Sequence, residues 1–369
     1  MNILVALLIF TLIVVIHELG HFLLAKKNGV GVIEFSVGMG PRIVTYAKNG
    51  EKTLLKFFIS QKQLEDLEGF EGITKYSVKM LPLGGSCMMV GEDEVSDAED
   101  AFGKKGVWAR FWVIFAGPFF NFILAFVLSM LLIGLAGFDA PIVPEVQAGM
   151  PMSEAGIQAG DKIISINGEK IDVFREVTAF FQFNPVTEDS VLEIVYERND
   201  EENHAVVRPV QNAEGRWVVG ITLRSTYTKA SPVEVVKYGL IEVKYWVETT
   251  LKTVAQLVTG RVSKDEIAGP VGIVNMVGGV IEESAEYGFL TVFLNILNMC
   301  ILLSANLGVM NLLPIPALDG GRLVFILIEA VRGKAIDQEK EAMIHMIGLV
   351  ALMLLMVFVM YNDITRIFR

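Results

Sequence analysis

The sequence predicts an α-helical membrane protein of about four transmembrane helices, with a membrane-associated β-hairpin region after the first and a small α+β domain inserted after the second. Three observations lead there. The chain of 369 residues is 53% hydrophobic and 20% charged, against about 25% charged for an average soluble domain. Its apolar residues gather into four blocks, and a helix needs about 20 such residues to cross hydrocarbon. Between the blocks the sequence is of ordinary soluble character, and the net charge of -11 is concentrated: residues 138–289 hold 13 basic and 23 acidic side chains, whereas 26–110 hold 12 of each. Such a balance excludes nucleic acid as a partner, which needs a clustered basic face. The two cysteines, Cys87 and Cys300, make neither a disulfide framework nor a CxxC metal knuckle.

The first span is expected over 2–25, with a run of 14 residues from Ile3 to Ile16 that no charged residue interrupts. A signal-peptide core is the competing reading, but no Lys or Arg precedes the run and no small-x-small site follows it. The second span covers 108–137, where Gly117-Pro118 should bend or break the helix; the third covers 289–313 and the fourth 344–361. Lys26, Lys27, Lys104, Lys105 and Arg110 border the first two spans, so the positive-inside rule puts 26–107 in the cytoplasm and 138–289 outside. Arg322, Arg332, Lys334 and Lys340 place the next loop inside; Arg366 and Arg369 go against the rule. The resulting division is an N-terminal membrane part (1–141), an inserted domain (142–225), a connector (226–288) and a C-terminal membrane part (289–369).

Within 142–225, short β-type runs alternate with turns: Lys162–Asn167, Val191–Glu197, His204–Pro209 and Trp217–Leu223, with Asn167-Gly168 as a hairpin signal. The stretch AGIQAGDKIISINGEKI (155–171) resembles a PDZ domain of membrane and periplasmic proteases, which binds peptides by strand addition; a small β domain without a ligand is the alternative. Residues 231–260 have the spacing of an amphipathic helix at a membrane surface. Of the 30–107 region, Val32–Tyr46 and Thr53–Ile59 have strand composition around Asn49-Gly50. Val78–Val90 is apolar with a proline and two glycines, as expected of a hairpin dipping into the membrane where protein shields its backbone.

The chemistry sits in the first span, as His17-Glu18-Leu19-Gly20-His21. Positions i and i+4 share a helix face, so both imidazoles reach one ion. Zinc suits imidazole nitrogens and, in catalytic sites, keeps one position for water; Glu18 is placed to accept that water's proton. Ionisable groups inside a membrane are costly, by about 2.5–3.5 kcal/mol for some charges, so this cluster needs partners. A third ligand must come from elsewhere, since His204 lies in the inserted domain and His345 faces another part of the chain. Asn311-Leu312-Leu313-Pro314-Ile315-Pro316-Ala317-Leu318-Asp319-Gly320-Gly321 follows the third span. Its two prolines end the helix and let Asp319 turn inward, although Asp319-Gly320 alone is an ordinary turn dipeptide.

HELGH, the PDZ-like segment and NLLPIPALDGG, together with FSVGMGPRI (35–43), LPLGG (81–85), FAGPFFN (115–121) and GPVGI (269–273), resemble the bacterial site-2 protease family over nearly the whole chain. The resemblance is to the four-span RseP/RasP type of intramembrane zinc metalloprotease, here with one PDZ domain. It implies Zn2+ held by His17, His21 and Asp319, with Glu18 as general base. Asn311, Pro314 and Pro316 are implied to handle the substrate beside the metal. FSVGMGPRI to LPLGG matches the membrane-dipping β-loop of the family, although residues 54–77 are longer than usual there. The implied setting is a bacterial plasma membrane, with the PDZ-like domain extracytoplasmic and the active site toward the cytoplasm. The implied partners are transmembrane segments of membrane proteins, such as anti-sigma factors or remnant signal peptides, the lipid bilayer, and a peptide ligand of the PDZ-like domain.

The expected reaction is therefore hydrolysis within a transmembrane segment that unwinds and pairs with a protein strand around 35–59. A zinc transporter would use the same ligands but needs a continuous polar path. A non-catalytic scaffold would leave HExxH without a purpose. For Asn295, Asn298 and Asn306, packing or hydration of the interior is the expectation.

Overall fold

The computed structural model describes residues 2–50, 52–92, 96–223, 226–261 and 268–367. Arg369, residues 224–225 of the predicted inserted domain and residues 262–267 of the predicted connector lie outside them. The chain divides into two compact units, residues 1–128 with 255–369, and residues 129–254.

Helix α1 (Asn2–Lys27) leads into strands β1 (Val32–Asn49) and β2 (Lys52–Phe57), helix α2 (Gln61–Glu65), strand β3 (Lys75–Met89) and helix α3 (Val107–Ala136). The strands form one sheet in the order β2-β1-β3. Both long strands turn back on themselves, β1 at Gly38 and Gly40 and β3 at Gly84, all with φ between 76° and 88°. Glu34–Val37 consequently pairs with Gly85–Met88 and also with Lys75–Val78, while Val44–Tyr46 takes Tyr76–Val78. A fully buried carboxylate pins this curl. Glu34 accepts two bonds from Arg42, at 2.6 and 2.9 Å, and Lys79 Nζ lies 3.2 Å away. Burial pushes the Glu34 carboxyl up, but Arg42, the Ser77 hydroxyl and Lys79 outweigh it and hold it below its ordinary value. The long 54–77 stretch closes a small core of its own with Ala47, Ile59, Leu64, Leu67 and Phe70, where Ser60 and Gln63 cap α2 reciprocally.

Of the bend or break predicted at Gly117-Pro118, the break is corrected: α3 runs through it as one 30-residue helix. Proline removes one intrahelical hydrogen bond, and neighbouring helices make that tolerable in a membrane segment.

The unit 129–254 begins with the end of α3. β4 (Phe138–Asp139), helix α4 (Pro151–Glu154), β5 (Lys162–Ile166), β6 (Glu169–Lys170) and helix α5 (Phe174–Phe183) follow. Next come β7 (Leu192–Arg198), β8 (Glu201–Val207), β9 (Val210–Gln211), β10 (Trp217–Val218), β11 (Tyr227–Thr228) and helix α6 (Pro232–Val258). The main sheet is ordered β6-β5-β7-β8, over a core containing Met152, Ile163, Ile166, Phe174 and Ile194. The Asn167-Gly168 hairpin forms with both residues at positive φ, 49° and 78°. The run predicted over Trp217–Leu223 is shorter as a strand, two residues paired with β9, plus a single bridge from Ile221 to Val146. Buried Asp161 explains its place after the glycines: it accepts from Gln158 N and from two nitrogens of Arg198, each at 2.7 Å. Arg175 of α5 bonds Asp139 on one side and Glu242 of α6 on the other. That clamp draws most of α6 into this unit.

Helices α7 (Pro270–Ala285), α8 (Phe289–Leu312), α9 (Asp319–Arg332) and α10 (Gln338–Ile367) complete the chain. Among the described residues, α1, α3, α8 and α10 are the helices long and apolar enough to cross a membrane. The last is longer than the predicted 344–361 because its polar end has work inside the fold. Buried Asp363 accepts from Gly269 N at 3.1 Å and Gly272 N at 2.8 Å, capping the start of α7. A Cβ at either glycine would come within 3.0 Å of the carboxylate, which accounts for the GPVGI motif. Replacing Asp363 with Ala strands both N–H groups and should cost about 1–3 kcal/mol of stability. The expected result is a lower melting temperature of the detergent-solubilised protein, with a smaller drop for Asp363→Asn.

Candidate metal centre

Helical spacing places His17 and His21 on one face of α1, and both are buried. Their Nε2 atoms lie 3.1 Å apart. Asp319 Oδ2 comes to 3.1 Å from His17 Nε2 and 3.4 Å from His21 Nε2. A tetrahedral zinc with bonds of about 2.0–2.1 Å needs its ligand atoms roughly 3.3–3.5 Å apart, so the three atoms close on one ion position. Asp319 Oδ2 is also buried with no hydrogen-bond partner. Two imidazole lone pairs and a carboxylate oxygen meeting in a dry interior repel unless a cation lies among them. Among the described residues this is the one group of three or more His, Cys, Asp or Glu side chains so arranged.

The other imidazole nitrogens are held as well. His21 Nδ1 is 2.9 Å from Val113 O. His17 Nδ1 faces the carboxamide of Asn121 at 3.2 Å, in α3, and Asn121 Oδ1 is buried without a partner. With Nε2 turned to the ion position, Nδ1 carries the proton and requires an acceptor. A half-turn of the carboxamide supplies Oδ1 as that acceptor and satisfies it. Asn121 is thus a site residue that sequence reasoning passed over. Its signal was there, an amide in the apolar FAGPFFN run.

Close helix packing makes this geometry possible. A Cβ on Gly20 would lie 2.3 Å from Ala116 O, and one on Gly117 2.3 Å from His21 Nε2 and 2.8 Å from His17 Cε1. Small residues allow α1 and α3 to meet backbone to backbone. Helix α8 joins through Ser304 Oγ, which donates to Asn121 O at 2.8 Å. Asp319 arrives because α8 ends at Leu312 and the two prolines carry the chain into α9, of which Asp319 is the first residue. Gly320 and Gly321 pack on the backbone of Leu312, Leu313 and Ile315, at distances that leave no room for a Cβ.

Glu18 Oε2 accepts from Cys87 N at 2.8 Å. The strand beside the site is therefore the Gly85–Met88 arm of β3, with Phe35–Val37 one strand further in, and not the 35–59 stretch taken as a whole. The reason is the fold-back of β3, which puts Gly85 3.6 Å from Glu18 Cγ measured from its would-be Cβ. The tip of the same strand reaches the middle of α1, where Thr11 Oγ1 donates to Pro82 O at 2.6 Å. Of the other sequence candidates, Asn311 is in the last turn of α8, and Pro314 and Pro316 lie in the connection to Asp319. His204 is exposed in the other unit. His345 is no ligand, but it touches the connection, its Nδ1 accepting from Ala317 N at 2.9 Å.

A methyl at Gly117 has nowhere to go except into the imidazoles. Gly117→Ala should therefore lower bound zinc well below one per chain, whereas Gly134→Ala on the same helix, facing open space, should leave it at the wild-type level. Metal analysis of the two purified variants checks this.

Residues 5–60 and 63–355 match the profile of peptidase family M50. The regulator of sigma-W protease RasP of Bacillus subtilis is 33% identical over 423 residues, covering 98% of this chain and 98% of its own. Zinc metalloprotease RasP of Bacillus licheniformis is 33% identical over the full length of both chains. Its namesake from Geobacillus kaustophilus is 30% identical, covering 98% of this chain and 97% of its own. Among solved structures, a PDZ domain of an SdrC-like protein of Listeria monocytogenes aligns with 23% of this chain and 87% of its own, at 22% identity and a TM-score of 0.20.

Proposed function

The chain belongs to peptidase family M50 and is a site-2-type zinc metalloprotease of the membrane; from that premise we propose how its residues divide the work and on what they act. The observation that carries the proposal is the convergence of His17, His21 and Asp319 on one ion position beside Glu18. Those three residues would hold zinc, which would supply a Lewis acid for a scissile carbonyl and for a water molecule. Glu18 takes the proton of that water and passes it to the leaving nitrogen, and the Cys87 N–H holds its carboxylate in place. His21 and His17 keep their orientation through Val113 O and Asn121.

A transmembrane helix has its carbonyls tied up in its own hydrogen bonds, so it must unwind before cleavage. The outer edge of the Gly85–Met88 arm suits the unwound strand, because Cys87 N–H points to Glu18 and away from its sheet partner. Strand addition there would satisfy the substrate backbone. Asn311, at the end of α8, is placed to bond the extended chain, with Pro314 and Pro316 shaping the connection beside it. The β3 tip at the level of Thr11 fits a hairpin dipping into the membrane. The lysine pair at the end of α1 supports a cytoplasmic position for that end and an extracytoplasmic one for 142–225.

The substrates we infer are single-span membrane proteins already trimmed outside the membrane, anti-sigma factors or remnant signal peptides. The name of the Bacillus subtilis relative favours the first. The unit with the β6-β5-β7-β8 sheet acts as a PDZ-like gate against large outer domains. A transporter is disfavoured by Glu18, which a transport site does not need.

Glu18→Gln should keep about one zinc per chain and the wild-type melting temperature, yet lose peptide cleavage by at least about 100-fold, the usual weight of a general base. Cleavage of a membrane-embedded test helix, with metal analysis on both proteins, decides it; equal rates would exclude the assigned base. Removing 142–225 should abolish the preference for a pre-trimmed over an intact substrate, and an unchanged ratio of the two rates would dispose of the gate.

A further inference from the structure

The fourth span holds none of the HELGH or NLLPIPALDGG motifs, yet it touches the metal centre's third ligand at one remove. Ala317, two residues before Asp319, has φ of 76°, a left-handed conformation that residues with a Cβ avoid. Its N–H donates to His345 Nδ1 of α10 at 2.9 Å. One turn along the same helix, Gly348 meets Pro316 so closely that a Cβ there would be 2.5 Å from both Pro316 Cβ and Pro316 O. The His345 ring is itself fixed, lying 5.5 Å from the Phe325 ring of α9 and with Nε2 3.9 Å from Glu341 Oε1. Two successive residues of the connection are thus seated on α10. After them come Leu318, the N-cap of α9, and Asp319, its first helical residue.

We propose that His345 is a positioning residue for zinc: its imidazole holds the Ala317 peptide in the left-handed turn that aims Asp319 at the two histidines, with Gly348 as the close-contact seat beneath Pro316. The proposal rests on Asp319 being a ligand. It assigns the last span a part in assembling the centre, through an acceptor that the strained turn requires. A leucine would fill the same space and leave the half-buried Ala317 N–H without its acceptor, letting the turn relax and swing Asp319 away. An asparagine presents an oxygen to the same N–H.

The test uses the full chain in detergent, stripped of metal, with zinc affinity measured by competition against a chromophoric chelator and site geometry read from the visible spectrum of the cobalt(II) form. His345→Leu should weaken zinc binding about 10–100-fold, the range for lost supporting contacts, and alter the cobalt bands. His345→Asn should restore most of the affinity and the wild-type spectrum, which a purely space-filling role would not predict. Gly348→Ala, which disturbs Pro316 with the imidazole intact, should shift both readings in the direction of the leucine variant and decides the matter if that variant does not fold. Wild-type affinity and spectrum in His345→Leu or Gly348→Ala, beside loss in Asp319→Ala, would overturn the proposal while leaving Asp319 a ligand. Wild-type affinity in Asp319→Ala would overturn the ligand assignment itself.

Discussion

The backbone-to-backbone contact of α1 with α3 is the constraint on which the rest of the membrane unit depends. Gly20 and Gly117 leave no side chain between the helices, and in that gap two imidazoles are held away from lipid. Polar groups at this depth are costly unless each has a partner. Here nearly every polar atom has one: Val113 O and Asn121 on the far sides of the rings, Cys87 N on Glu18. The exceptions are one end of the Asn121 carboxamide and Asp319 Oδ2, the latter facing the two Nε2 atoms across a gap where a cation would relieve the repulsion.

The centre is therefore spread over elements far apart in the chain. The two histidines and Glu18 come from α1, their hydrogen-bond partners from α3 and the curled sheet, and the carboxylate of Asp319 from the start of α9. Ser304 ties α8 to Asn121, while Asp363 ties α10 to α7. No single helix carries a working site, so zinc binding and helix packing should rise and fall together. The sheet adds a polar backbone edge beside Glu18, through the Cys87 N–H.

The unit 129–254 is built on different lines. Its centre is an apolar core under a four-stranded sheet, and its ends are joined by a buried ion cluster in which Arg175 serves both Asp139 and Glu242. Burial of Glu242 holds its carboxyl above the ordinary value despite that arginine. An ion cluster of this kind contributes little net stability but fixes one arrangement of the groups it joins. It makes α6 part of the unit, where composition alone placed the helix in a separate connector.

By itself the sequence determined the four apolar spans, the i, i+4 histidines with their glutamate, the Asn167-Gly168 hairpin and the break after Leu313. Each is a local pattern, set by helix period, strand period or proline, and local patterns survive without neighbours. Asp319 was recognisable from its motif, but Asp-Gly alone reads as a turn. Only packing brings its oxygen to 3.1 Å from His17. The continuity of α3 through Pro118, the partnership of Asn121 with His17, the Cys87 amide on Glu18 and the seating of Ala317 on His345 were decided by tertiary structure. The residues concerned lie between 28 and 104 positions apart in the chain, and no periodicity in one segment specifies which atom of another will meet it.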